Sequence, residues 1–179
     1  MKYFIGYLIR GEAAEYYRLT GAELANSFRV DDVSRIAPPH MTVKATFDHG
    51  NQEALEEVLS AFADTARPCP LSLSGWNHFG NRTIIVDAPV QPNEAIASFG
   101  RLIDSLRSAG VRANPREKQI HAHMSVARFL TPEIFPKVWA HIEKGPKPSF
   151  DMMLDNVTLF SSVDGKIWKV EKTFPFMGR

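Results

Sequence analysis

Two short stretches of this chain carry side chains that could move protons. One reads Pro38-Pro39-His40-Met41-Thr42-Val43-Lys44, the other His121-Ala122-His123-Met124-Ser125-Val126-Ala127-Arg128. They share the core His-Met-hydroxyl-Val, with His40 and His123 83 residues apart. Histidine is the side chain whose unperturbed pKa lies near neutrality, so it gives or takes a proton there. Two facing imidazoles, one neutral and one protonated, would activate a nucleophile and protonate a leaving oxygen, which is what cleavage of a phosphodiester demands. Thr42 and Ser125 add neutral donors for the non-bridging phosphoryl oxygens, where negative charge concentrates. Nothing in this scheme requires a metal or any other cofactor.

The pattern has to be held in strands. Residues two apart in a strand share a face, so each stretch sets an imidazole beside a hydroxyl, and two such strands facing one another make a cleft. Lys44, two beyond Thr42, falls on the His40 face and is expected either to contact a phosphate or to lie along the strand end. Arg128, five beyond His123, is at an odd offset and points away. His121 and His123 could ligate one metal from a single face, but no Cys/His/Asp/Glu cluster accompanies them, and His121 reads as a cleft-edge or strand-start residue. His49 and His141 read as surface histidines, and His78 lies in a hairpin that could face the cleft. Arg112, Arg116 and Lys118 read as solvated surface, with steering of a polyanion the alternative. Tyr7, Trp76, Phe79 and Phe129 read first as core, although Trp76 and Phe79, near a turn, could stack on a base.

The elements follow from period and punctuation. Tyr3–Ile9 is aromatic and β-branched and reads as a buried strand. Ala13–Phe28 has helical spacing, with Gly21 weakening its middle. Asp31–Pro39 is turn-rich, and Pro39 holds Pro38 extended, so the chain enters the strand His40–Phe47 straight. Asn51 caps a helix on Leu55, Val58, Leu59 and Phe62, stopped by Arg67-Pro68. Leu71–Asp87 reads as a hairpin turning at Gly80-Asn81. Pro92 and Asn93 open a helix on Ile96, Phe99, Ile103 and Leu106 that ends at Gly110. Val111–Lys118 reads as a loop and Gln119–Phe129 as the second His-bearing strand. Thr131 and Pro132 start a helix reaching about Lys144. Asp151–Ser161 and Lys166–Phe176 read as two strands joined across Asp164-Gly165.

Each half thus runs His strand, helix, hairpin. The expected fold is α+β: a single domain over 1–179 made of two pseudo-symmetric lobes, bilobal and duplicated, with two antiparallel sheets lining a central cleft and helices outside. The bulk numbers bound what such a chain does. Its 179 residues suit one domain, and 44% apolar content is ordinary for a globule. A balance of 21 basic against 20 acidic residues argues against a protein that coats nucleic acid through broad positive charge. Cys69 is the one cysteine; it has no internal partner, lies between prolines and reads as a small hydrophobe. The apolar run near the N-terminus is too short for a membrane span, and a cytoplasmic location is expected, without membrane or obligate protein partner.

The two motifs carry a family resemblance. His40-Met41-Thr42 and His123-Met124-Ser125, the phrase Pro39-His40-Met41-Thr42-Val43-Lys44, and the ending Val157-Thr158-Leu159-Phe160-Ser161-Ser162 followed by Trp168 resemble the 2H phosphoesterase superfamily in its 2′-5′ RNA ligase-like branch. The resemblance spans nearly the whole chain. It implies a bilobal α+β fold with a metal-independent site between the lobes, where His40 and His123 are the catalytic pair and Thr42 and Ser125 bind the phosphoryl group. The implied chemistry is RNA processing: opening of 2′,3′-cyclic phosphates on RNA ends or nucleotides, with 2′-5′ RNA ligation as the reverse-type alternative. A nucleotide- or RNA-binding module that kept the cleft without turnover is the reading from another class.

Overall fold

The computed structural model describes residues 1–90, 93–112, 117 and 121–178. Pro92, Arg116, Lys118 and Gln119, which figure in the readings above, lie outside the described residues. The chain runs β1 (Lys2–Leu8), α1 (Gly11–Phe28), α2 (Val33–Ile36), β2 (His40–Asp48), α3 (Gln52–Thr65), β3 (Cys69–Ser74), β4 (Trp76–Phe79), β5 (Thr83–Asp87), α4 (Asn93–Ser105), β6 (His123–Ala127), α5 (Phe135–Ile142), β7 (Ser149–Leu154), β8 (Asn156–Ser162) and β9 (Lys169–Pro175). It is an α+β fold in which every strand pairing is antiparallel.

Three expected boundaries move. The chain from Cys69 to Phe79 is kinked at Gly75, whose φ of 76° suits a residue without Cβ. Before the kink β3 pairs with β7; after it β4 pairs with β5, so the hairpin is β4–β5 alone. Gly75 joins the two regions, its N–H donating to the Pro148 carbonyl at 2.9 Å and its carbonyl accepting from Asp87 N–H at 3.1 Å. The expected strand Asp151–Ser161 likewise divides at Asp155, with β7 going to β3 and β8 to β1 and β9. Helix α5 starts at Phe135; Thr131 instead receives the N–H groups of Ile134 and Phe135 on its carbonyl, a turn ahead of the helix.

The sheet orders are β2-β1-β8-β9, β3-β7 and β4-β5-β6. Hence β2, with His40, and β6, with His123, each stand at a sheet edge, and the two strands contact one another. Connectivity crosses between the sheets. The β4–β5 hairpin, which follows the His40 strand in sequence, pairs with β6, whereas the β8–β9 hairpin, which follows His123, joins the sheet of β2. Each sheet is completed by the hairpin of the other half.

The core is continuous across these sheets. Ile5, Leu55, Leu59, Leu73, Ile84, Met124 and Leu159 are fully or almost fully buried. Helix α1 buries Ala13, Tyr17, Thr20, Gly21 and Leu24 along one stripe and packs on β6. Helix α3 is capped by Asn51, whose side chain accepts from Ala54 N–H at 3.1 Å, and packs on β8 and β9. Helix α4 ends at Ser105, short of the expected Gly110; its Phe99 and Ile103, with Leu106 just beyond it, face the core as expected, but Ile96 is exposed. No helix among the described residues is long and apolar enough to cross a membrane.

Candidate functional site

The approach to His40 is fixed by buried hydrogen bonds. The Tyr17 hydroxyl lies 2.9 Å from the Val33 carbonyl and 3.1 Å from that of Ala37, tying α1 to the segment just before the two prolines. Ile9 N–H donates to the Pro39 carbonyl at 3.0 Å. The imidazole sits over Phe4 and Phe160, with ring centroids 4.6 and 5.5 Å away. His123 enters from the other sheet, its ring 4.8 Å from Phe79 in an edge contact.

Both rings make the same hydrogen bond. His40 Nδ1 is 2.7 Å from the Pro38 carbonyl, and His123 Nδ1 is 2.6 Å from the His121 carbonyl. A carbonyl only accepts, so Nδ1 carries the proton and Nε2 of each neutral ring is left as the basic nitrogen. Burial is the largest influence on both: it pushes His40 down to about 4 and His123 in the same direction. The carbonyl bonds oppose this, while the nearby Arg128 guanidinium lowers both. For His123, the His121 ring also lowers it and Asp87 raises it. Both rings are therefore neutral at pH 7, and an arriving phosphate would raise their proton affinity.

A cavity of about 220 Å³ is lined by His40, Thr42, Phe79, Thr83, His123, Ser125 and Arg128. Four of the five residues expected at the site share it. Lys44 does not line it. Its side chain is buried, its ammonium 2.7 Å from Glu117 and 5.4 Å from the Phe47 ring centroid.

The reason is a matched irregularity in the two strands. In the β1–β2 ladder Gly6 faces Thr42 while Ile5 faces Lys44; in the β5–β6 ladder Ile85 faces Ser125 while Ile84 faces Ala127. One step on the partner strand corresponds to two on the His strand, which is a bulge. From each histidine the residues run half-buried, buried, half-buried, buried, buried. The bulge turns Lys44 and Ala127 inward and restores the following residue to the cleft face. In the second copy that residue is Arg128, which lines the cavity; in the first it is Ala45. Strict alternation misplaced Arg128, and the successive small apolar residues Val126-Ala127 are the sequence signal that alternation fails there.

The remaining residues fall elsewhere. His121 Nε2 is 2.5 Å from Asp87 Oδ1, and Asn77 donates to Asp87 Oδ2 at 2.8 Å. No group of three or more His, Cys, Asp or Glu suited to a metal ion occurs among the described residues. His78 packs between Phe135 and Trp139, with Nδ1 2.7 Å from the Gly80 carbonyl. His49 bridges the Asn51 and Ala109 carbonyls, and His141 bonds Glu23. Cys69 is buried, which pushes its thiol up. Trp76 lies against Tyr16 and lines no part of the cavity. Phe129, expected in the core, is 61% exposed.

Comparison with known proteins places the chain in a family. The family model described as the 2′-5′ RNA ligase superfamily matches residues 12–166. The chain belongs to this superfamily, the 2H phosphoesterases its motifs resemble. Two relatives share the name "Putative phosphoesterase". That of Geobacillus sp. (strain WCH70) is 26% identical over 161 residues, 88% of this chain and 90% of the relative. That of Bacillus pumilus (strain SAFR-032) is 27% identical over 156 residues, 85% of this chain and 88% of the relative. Among solved structures, E. coli LigT complexed with 3′-AMP superposes with a TM-score of 0.68 at 18% identity, covering 98% of this chain and 97% of LigT. TT0787 of Thermus thermophilus gives 0.63 at 15% identity over the whole of both chains. These structures share the fold.

Proposed function

We propose that the protein is a metal-independent phosphoesterase that hydrolyses 2′,3′-cyclic phosphates of RNA ends or small cyclic nucleotides in the cytoplasm, through one domain of two related lobes. The observation that carries this reading is the single cavity holding His40, Thr42, His123, Ser125 and Arg128, with Nδ1 of each ring engaged by a carbonyl. One Nε2 takes a proton from water as its oxygen bonds to phosphorus. The other ring, protonated once phosphate is bound, delivers its proton to the ribose oxygen as the P–O bond of the cyclic ester breaks, leaving a phosphomonoester. Thr42 and Ser125 donate to the non-bridging oxygens, and the Arg128 guanidinium faces their charge. Lys44, buried against Glu117, has no part in the scheme. That LigT was crystallised with 3′-AMP supports the substrate class, because a ribonucleoside 3′-phosphate is one of the two monoesters that opening such a ring can yield.

The test is turnover of 2′,3′-cyclic AMP, in the presence of a chelator, by the intact protein and by His40→Ala and His123→Ala. Each substitution is expected to lower kcat by roughly 10²–10⁴-fold, the usual contribution of a positioned acid or base. Activity that survives both would remove the pair from the mechanism. Loss of the intact protein's activity to chelator alone would instead favour a metal, and binding without turnover would favour a nucleotide-binding module.

A further inference from the structure

The two histidines are held alike, but the carbonyls that hold them are not. His40 Nδ1 bonds the Pro38 carbonyl and His123 Nδ1 the His121 carbonyl, in each case two residues back. The residue between is tied to a neighbouring segment in both copies: Ile9 N–H donates to the Pro39 carbonyl at 3.0 Å, and Ala88 N–H to the Ala122 carbonyl at 3.3 Å. Both acceptor carbonyls lie just ahead of their strands, which begin at His40 and His123. In the first copy that backbone is stiff by itself, because the Pro38 ring locks φ and Pro39 keeps Pro38 extended. The second copy reads His121-Ala122 and has no such ring.

A side chain supplies the restraint there. His121 Nε2 lies 2.5 Å from Asp87 Oδ1, and a carboxylate oxygen accepts, so the ring nitrogen donates. Asp87 is 9% exposed and is itself fixed. Its Oδ2 accepts from Asn77 Nδ2 at 2.8 Å, its N–H donates to the Gly75 carbonyl at 3.1 Å, and in the β5–β6 ladder it stands opposite His123. The Phe79 ring meets His121 and His123 edge-on, with centroids 5.9 and 4.8 Å away. Neither Asp87 nor His121 lines the cavity that holds His40 and His123.

We infer that Asp87 and His121 are positioning residues for His123: their hydrogen bond does for the second histidine what the prolines do for the first. It sets the carbonyl that keeps the His123 proton on Nδ1 and leaves Nε2 basic. The consequence for turnover rests on the cyclic phosphodiesterase reading above; the consequence for the ring does not. With the bond removed, the His121 carbonyl is free to shift and His123 samples the tautomer protonated on Nε2. A neutral ring in that state has no basic nitrogen at Nε2 to take a proton.

The experiment compares the intact protein with His121→Ala and with His121→Gln, whose amide nitrogen can donate to Asp87 in place of Nε2 but does not titrate. The His121 side chain is 41% exposed, so both variants should fold. Long-range proton–nitrogen correlation spectra at pH 7 read the tautomer of each ring. His123 is expected to carry its proton on Nδ1 in the intact protein and in His121→Gln, and to become a mixture of tautomers in His121→Ala. His40, held by Pro38, should be unchanged in all three. With 2′,3′-cyclic AMP, His121→Ala is expected to lose about 10–100-fold in kcat with KM little changed, the usual cost of removing a group that orients a working histidine. His121→Gln should recover most of that loss. A His123 tautomer that is the same in His121→Ala as in the intact protein overturns the inference. So does a His121→Gln as impaired as His121→Ala, which would make the imidazole itself the working group. If the intact protein turns over no cyclic phosphate, the spectra still decide for or against the restraint, so failure of the reaction and failure of the positioning are told apart.

Discussion

His40 and His123 hold their protons on Nδ1 because each faces a carbonyl from two residues earlier in the chain. Their affinity for a second proton is depressed, to about 4 for His40 and in the same direction for His123. A base must be neutral, so the rate rises with pH through its pKa; an acid must be protonated, so the rate falls through its own. The pH profile of kcat/KM, which reports the free enzyme, is therefore expected to be a bell with both limbs below the ordinary histidine value of about 6.5. A bell centred above pH 7 would contradict the depressed pair. Arg128 lowers both rings and lines the cavity proposed to hold the phosphate. Arg128→Gln should thus move both limbs upward while lowering kcat/KM by about 10²–10³-fold, the usual cost of one donor to a developing oxyanion. A variant that lost activity without moving the limbs would leave Arg128 outside the pair's electrostatic surroundings. The four residues His40, Thr42, His123 and Ser125 were legible because each motif repeats imidazole and hydroxyl two apart. Arg128 was not, because its place depends on a backbone irregularity that side-chain alternation does not encode.

At the scale of the element, the β2 bulge that turns Lys44 into the core and away from the cavity needs room on the neighbouring strand. In β1 that room is Gly6: a Cβ there would lie 2.4 Å from the Met41 carbonyl oxygen, backbone that has nowhere to go. Gly6→Ala is expected to cost about 1–3 kcal/mol in urea denaturation and to lower activity by displacing the His40 strand. Gly50→Ala, whose Cβ meets nothing within 4 Å, serves as the control and should lie close to the parent. Equal stability of the two variants would mean that β2 shifts freely against β1. Elements with strong punctuation were read closely: α3 behind Asn51, and the edge strand behind Pro38-Pro39. Where the sequence runs apolar through a kink, as at Gly75, one strand was read in place of two with different partners. Period reports which face is buried and is silent on which strand lies alongside.

For the whole molecule, the unexpected property is the exchange of hairpins. Sequence order suggested two contiguous units of strand, helix and hairpin. Pairing across the halves was invisible, because the apolar faces of β4–β5 and β8–β9 fit either sheet as far as composition goes. With each sheet drawing strands from both halves, neither half has a complete sheet of its own. Unfolding should accordingly be one cooperative transition. Far-ultraviolet dichroism should coincide in denaturant with the fluorescence of Trp-to-Phe variants that retain only Trp76, in the His123 sheet, or only Trp168, beside His40. Two separated transitions would mean that the sheets stand independently.

The same exchange bears on how the protein is made. Strand β1 is synthesised before both of its neighbours, yet in the finished sheet it lies between β2 and β8, and β8 begins at Asn156. At 5–20 residues per second, roughly 8 to 31 s pass before its second neighbour has been synthesised. Throughout that interval the Tyr3-Phe4-Ile5 edge has no permanent partner, and an unpaired apolar edge invites pairing with other chains. The order of synthesis thus leaves the nascent chain dependent on whatever shields an open strand until β8 emerges.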